Sequence, residues 1–486
     1  MNMNLESTPV RRAIFRPAVL VSSVLLAASA QAQFTFVTNN GAITITGYNA
    51  FGYNAIIPAS TNGWPVTAIG NKAFCGCDSL TNVTIPTSVT SIGSSAFGPC
   101  SDLRSLAIPD SVTNMGASVF WGCSSLTNVV IGTNVTCIGS NAFYGCGSLP
   151  NVTIPNSVTN LGDSAFSGCL SLTNVAIGNG VTSIGNGAFY QCGRLANVTI
   201  GSSARSIGTN AFYNCYLLKS VSIPNSVISI GDSAFYDCGS LTNVALSNGL
   251  TSIGNYAFQE SSLLAVAIPD SVTNIGTSAF ECCLGLSNVS FGSNVVSIGN
   301  DAFYSAFSLT SLAIPDSVIS IGACAFCNGW HLTNLTIGNG VTNIGEGAFG
   351  DCTNLRTALF QGNAPTVNGS VGSADSTVFS GEPGTVYYVP GTTGWASTFG
   401  GWPTAPLYQP NPLILGNSYG LGVSGNQFNF TVCWGTNVSV VVEACTNLAN
   451  PVWTPVATNA LTNGVATFAD PQWTNYPTRF YRVRSQ

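Results

Sequence analysis

Residues 91–113 read Ser-Ile-Gly-Ser-Ser-Ala-Phe-Gly-Pro-Cys-Ser-Asp-Leu-Arg-Ser-Leu-Ala-Ile-Pro-Asp-Ser-Val-Thr, and variants of this line fill most of the 486-residue chain. The Ile-Gly step, or its Met-Gly or Leu-Gly equivalent, falls at Gly70, Gly93, Gly116, Gly139, Gly162, Gly185, Gly208, Gly231, Gly254, Gly276, Gly299, Gly322 and Gly345. These thirteen copies are 23 residues apart, except for 22 between Gly254 and Gly276. A Phe follows each Gly by four residues, from Phe74 to Phe349. A fixed period of this length predicts a solenoid, because one unit cannot bury its own apolar face and must stack on its neighbours.

Within the unit, Leu80, Val83 and Ile85 form L-x-x-V-x-I, a short strand with its apolar residues on one side. Pro86 follows, and most other copies have Pro or Gly there. A residue without a ladder donor ends the strand. Val89 and Ile92 make a second apolar pair, and Gly93 is read as a bend needing positive φ. Ala96-Phe97 sends a ring inward. Ten copies place a Cys three residues after the Phe: Cys77, Cys100, Cys123, Cys146, Cys169, Cys192, Cys215, Cys238, Cys283 and Cys352. One Cys per coil at a core position is expected to behave as a small buried hydrophobe with a free thiol. Parallel Cβ vectors on stacked coils disfavour bridging. In the 22-residue copy, the Cys is read as the missing residue, which predicts a tightened turn without a break.

The unit L-T-N-V-x-I-P-x-S-V-T-x-I-G-x-x-A-F-x-x-C resembles the BspA-like branch of bacterial leucine-rich repeats over about residues 66–360. It departs from the ordinary leucine-rich signature in having Pro or Gly, where that signature has Asn or Cys, just after the strand. The resemblance implies a right-handed coil with a strand-lined face, in secreted or surface proteins that bind other macromolecules. It implies no particular ligand.

Charged residues make up only 6% of the chain and the net charge is −6. There is no basic run, so nucleic acid is not an expected partner. Arg11, Arg12 and Arg16 precede an apolar stretch at 18–28 that is too short to span a bilayer, and Ala30-Gln31-Ala32 fits a cleavage site. Residues 1–32 are therefore read as a signal peptide, giving a secreted or cell-surface protein with no transmembrane helix. The first Cys is Cys75, which argues against a lipid anchor. Residues 33–68 are expected to cap the coil, with a hairpin turning at Asn39-Asn40-Gly41. Residues 69–360 form the solenoid, and 361–408 a degenerate last coil and C-terminal cap sealed by Trp395, Phe399 and Trp402. Gln409-Pro410-Asn411-Pro412 reads as a linker into a β-sandwich-like module at 409–486. There Cys433 and Cys445 are candidate disulfide partners, although a hairpin turning at 435–437 would leave them out of register.

Little in the sequence suits catalysis, and neither a catalytic group nor a cofactor is expected. His331, the only histidine, occupies a polar surface position. Cys324, Cys327 and His331 have spacing that could hold a metal, but the two Cys lie on one turn with diverging side chains, so no metal site is expected. Asp110, Asp270 and Asp316 form one column, Asp163 and Asp232 another. Both read as turn residues that bond nearby backbone amides.

Two surface columns are the binding candidates. One is the outward strand position, with Asn82, Asn128, Asn151, Asn174, Asn197, Asn243, Asn288 and Asn334. It is either a hydrogen-bonded ladder or a flat, uncharged recognition face. The other follows the core Phe, with Trp121, Tyr144, Tyr190, Tyr213, Tyr236 and Tyr304. These rings either stack on each other or engage a sugar or a protein. The expectation is a non-enzymatic binding or adhesion protein for a protein or polysaccharide ligand. The alternative is a structural component that self-associates into an envelope layer or filament.

Overall fold

The computed structural model describes residues 33–49, 52–368, 377–380, 383–407, 413–415, 421–424, 427–434, 438–461 and 464–486. The leader and the linker at 409–412 lie outside the described residues, as does most of the insertion around 369–384. About fourteen coils stack as a β-solenoid, and a distinct β-rich region follows. Each coil contributes two short strands that pair in parallel with those of its neighbours, such as Asn174–Ile177 and Ser183–Ile184. Identical positions face each other, with Ser183 opposite Ser206 and Ile184 opposite Ile207. The period thus turns every core position into a column. The two-residue strands join one 17-stranded sheet from the N-terminal hairpin to Thr366–Val367. Between the two strand rows, the Phe rings stack in an unbroken ladder from Phe74 to Phe349. Successive ring centroids in it are 4.8 to 5.5 Å apart, close to the strand spacing.

The step glycines serve a purpose other than the expected one. None of the thirteen has positive φ. Instead, a Cβ at Gly139 would lie 2.4 Å from the Gly116 carbonyl oxygen, and one at Gly185 2.6 Å from the Gly162 carbonyl carbon. Glycine is required there because backbones of adjacent coils touch. The left-handed residues flank the Phe instead, two before and two after it, as with Ser164 (φ 53°) and Gly168 (φ 72°) around Phe166. The later copies fill these positions mainly with Ser, Asn and Asp, whose short polar side chains tolerate that region.

The Asn-Val-x-Ile row, unlike the other, is broken in four places: after Asn128–Val130, Asn197–Thr199, Asn243–Ala245 and Asn288–Ser290. At each break, a coil with Gly or Ser after its strand meets a following coil with Pro: Pro155, Pro224, Pro269 and Pro315. Where Gly follows instead, its amide donates to the previous coil, as Gly338 does to the Ile314 carbonyl at 2.9 Å. Proline cannot make this bond.

The ladder thiols are free and mostly buried. Their S–H groups donate to the Phe carbonyl of the preceding coil, as Cys123 does to Phe97 at 3.2 Å and Cys192 to Phe166 at 3.1 Å. In the 22-residue copy the Cys position is not the one deleted. Ser261 occupies it, 3% exposed, with its hydroxyl 3.2 Å from the Cys283 sulfur. The missing residue lies in the turn between Ser261 and Leu263. The two-residue strands continue past it, Ser252 pairing with Asn274 and Ile253 with Ile275.

Both ends of the ladder are covered. At the N-terminus Phe34–Asn39 pairs with Ala42–Tyr48 through a turn in which Asn40 and Gly41 both have positive φ, which places Tyr48 over Phe74 at 5.2 Å. At the other end Phe379 extends the stack and Trp402 closes it at 4.3 Å. In the C-terminal region Gln427–Cys433 and Val465–Asp470 belong to one sheet. Val438–Cys445 lies in a second, between Thr454–Leu461 and Phe480–Ser485. Phe430, Val432, Val440, Val442 and Phe468 form the core between them. The strands flanking 435–437 therefore do not pair as a hairpin. Cys433 packs with Val389 and Leu415, while Cys445 is paired in register with Phe480, and both thiols are free. Glu443, 5% exposed, accepts from Arg482 Nε at 2.8 Å and Arg484 Nε at 2.9 Å. These two guanidinium hydrogen bonds hold its carboxyl below the usual range.

Candidate functional site

The alternation of the Asn-Val-x-Ile strand turns its first and third residues to solvent. In the coils 82–359 those two columns hold Asn, Ser, Thr, Ala, Val and Leu, and no charged residue. Asn128, Asn151, Asn174 and Asn197 are all exposed there. Three of them are bonded in series: Asn174 Nδ2 donates to Asn151 Oδ1 at 2.8 Å, and Asn197 Nδ2 to Asn174 Oδ1 at 2.7 Å. Asn128 stands across the break caused by Pro155. The break opens a groove of about 790 Å³ bordered by Val130, Ile131, Thr153, Ile154 and Pro155, with Val130 55% exposed. The face is thus both a ladder and a neutral surface, interrupted at Pro155 by this groove.

The aromatic column divides into two parts. Tyr190, Tyr213 and Tyr236 stack at 4.9 and 4.6 Å. Tyr236 Oη donates to Glu260 at 3.2 Å, and burial together with the Glu260 charge pushes its phenol up to about 12. Asp237 beside it is raised, by burial first and Glu260 second. Trp121 and Tyr144 are 43% and 42% exposed. They are separated from the stacked rings by Ser167, the residue that replaces an aromatic in the intervening coil. Tyr304 is remote, because Gln259 and Glu281 fill the column before it.

The Asp columns bond the next coil rather than their own turn. Asp110 Oδ1 accepts from the Thr133 amide at 2.7 Å and Asp163 Oδ1 from the Asn186 amide at 2.7 Å. The Thr133 bonds lower the Asp110 carboxyl. His331 Nδ1 lies 2.6 Å from the Phe307 carbonyl oxygen. Among the described residues no three His, Cys, Asp or Glu side chains gather as metal ligands. Sequence reasoning missed a further exposed row four residues after the core Phe, where Phe307 and Trp330 stack at 4.2 Å. The signal was available, since Leu170, Tyr216 and Leu284 occupy the same column.

The family described as BspA type leucine rich repeat region (6 copies) matches residues 44–173, 160–287 and 273–374. A leucine-rich repeat protein from Bacteroides ovatus is 27% identical, with 67% of this chain and 93% of that one covered, at a TM-score of 0.48. A leucine rich cell surface protein from Faecalibacterium prausnitzii is 30% identical, with 68% and 94% covered, at 0.42. A leucine rich repeat protein from T. pallidum is 33% identical, with 38% and 88% covered, at 0.37. No curated protein matches the chain. Among the described residues no helix is long and apolar enough to cross a membrane.

Proposed function

The chain belongs to the BspA-type leucine-rich repeat family, and from that premise we propose that it is an exported, non-enzymatic binding or adhesion protein whose solenoid surface recognises a protein or glycan. The observation that carries this is the outward strand face, two columns wide and free of charge through thirteen coils. A rigid neutral face of this length has few charges to desolvate on contact, so a partner can bury it at low polar cost. The leader read at residues 1–32 supports export, and the mature chain is expected to begin near Gln33. Intact Met1 on protein recovered outside the producing cell would count against it.

Recognition through this face is tested by placing charge on it. A triple variant Asn151→Arg, Asn174→Arg, Asn197→Arg removes the ladder and adds three cations. The full chain is expected to adhere to at least one member of a panel of extracellular proteins and polysaccharides, and the variant to lose that adhesion at unchanged circular dichroism. Equal adhesion by the variant would reject the strand face as the binding surface. Self-assembly is the competing role, and light scattering over a concentration series separates the two. Because Tyr48 and Trp402 cover the ladder ends, a monomer is expected; assemblies that grow with concentration favour the structural role.

A further inference from the structure

Between Trp121 and Tyr236 the aromatic column lacks one ring. Tyr144 and Tyr190 sit at the same position two coils apart, and the coil between them carries Ser167, 5% exposed. The Phe ladder directly beneath advances 4.9 Å and then 5.5 Å over those two steps. The tyrosines are therefore separated by about two strand spacings, roughly 10 Å. Tyr190 stacks one face on Tyr213 at 4.9 Å. A ring midway to Tyr144 would be about 5 Å from each, within the range of stacked ring pairs. An open depression of about 370 Å³ takes in this gap and continues over Thr209 and Asn210. Tyr144, Tyr190, Ser164, Asp163, Asn186 and Asn210 are among the residues that line it.

We propose that this slot binds one neutral pyranose ring, inserted edgewise between Tyr144 and Tyr190 over Ser167; the proposal rests on the binding function above and names a site and ligand class for it. The apolar faces of a sugar ring suit the two phenol walls, while its equatorial hydroxyls point outward to the polar rim. Asp163 uses one carboxylate oxygen for the Asn186 amide, and Asn186 Oδ1 accepts from the Thr209 amide at 2.9 Å. The other carboxylate oxygen and the Asn186 NH2 are not used in those inter-coil bonds, and supply an acceptor and a donor of the kind a diol needs. Asp163 at the rim and the net charge of −6 select against acidic sugars.

The test exploits the repeat itself. Ser167→Tyr restores the ring that neighbouring coils carry at this position, so the fold tolerates it while the slot fills. The probes are the methyl α- and β-glycosides of glucose, galactose and mannose, applied to the full chain and followed by saturation-transfer NMR and calorimetry. At least one is expected to bind at millimolar concentration, with saturation on its ring C–H protons. Tyr144→Ala and Tyr190→Ala each weaken that binding at least tenfold. Ser167→Tyr abolishes it and melts no lower than the parent chain. Silence of all six glycosides, or binding retained in Ser167→Tyr, overturns the proposal. N-acetyl-tryptophanamide binding with the sugars silent also overturns it, by assigning the slot to an aromatic side chain. A failed slot with adhesion still lost in the strand-face variant leaves the wider binding function standing, whereas no adhesion in any assay removes both.

Discussion

Raising the pH should unfold this solenoid through its own thiols. Cys100, Cys123, Cys146, Cys169, Cys192, Cys215, Cys238, Cys283 and Cys352 are 0 to 4% exposed. Burial pushes Cys123, Cys192, Cys283 and Cys352 up to about 12 and raises the other five as well. An unfolded thiol ionises near 8.5. Because the folded values lie above the unfolded one, the stabilisation is complete below pH ~8.5 and is lost as pH rises toward the folded values. One unit above the unfolded value, the unfolded chain gains about 1.4 kcal/mol per thiol relative to the fold. Nine such groups give on the order of 10 kcal/mol, comparable to the whole stability of a typical domain. Urea unfolding followed by circular dichroism in reductant at pH 7.5, 8.5 and 9.5 measures this. The variant Cys169→Ala, Cys192→Ala, Cys215→Ala should lose about a third of the nine-thiol contribution to the pH dependence, whatever its starting stability. Tyrosine titration is common to both proteins and cancels. Equal pH slopes for variant and parent would refute the account of the thiol column.

Truncation within the ladder should depend on position. Phe212 lies 5.2 and 5.1 Å from its two stacking partners, so Phe212→Ala is expected to cost about 3–5 kcal/mol, read from the urea midpoint. Phe74 touches Phe34, Tyr48 and Phe97, but opening the cap and first coil relieves its loss locally, so Phe74→Ala should lower the midpoint less. Equal losses would mean that the array melts as one unit. Gly185→Ala forces a methyl group into the Gly162 backbone and should cost about 1–3 kcal/mol or more, while Gly239→Ala, with nothing within 4 Å of its added Cβ, should be near neutral. Thermal melting of the pair checks this, and a neutral Gly185→Ala would disprove the close approach of the coils.

What the sequence revealed was whatever repeats with the period. The 23-residue spacing determines that Phe lies over Phe and Cys over Cys, so the core columns follow without knowledge of the coil's shape. Asn40-Gly41 identifies the capping hairpin by its own turn chemistry. What remained hidden depends on distances between coils. Gly139 reads as a bend residue until the preceding backbone is found 2.4 Å from its missing Cβ. Asp163 reads as capping its own turn until it is seen to accept from Asn186 in the next coil. The deletion before Leu263 has two possible placements on counting, and only burial of Ser261 in the thiol column decides between them. The strand breaks need two adjacent copies to be compared, since Pro155 is unremarkable alone and disruptive only after Gly132.

In a stack held in register, a substitution in one coil removes a contact from its neighbours as well, so exceptions to a column have consequences beyond their own residue. Proline at 155 withdraws an inter-coil donor and opens the strand-face groove. Serine at 167 withdraws a ring and opens the aromatic column. Both exceptions fall within one 23-residue interval, yet they act on different columns. Neither improves packing, since the same columns hold Gly178 and Tyr190 where the ladder is continuous. Local departures of this kind, without an evident gain in stability, are where function is expected to reside. The aromatic opening lies between Tyr144 and Tyr190, so recognition through it is expected there, whereas the strand face is interrupted again at Pro224, Pro269 and Pro315, farther along the repeat.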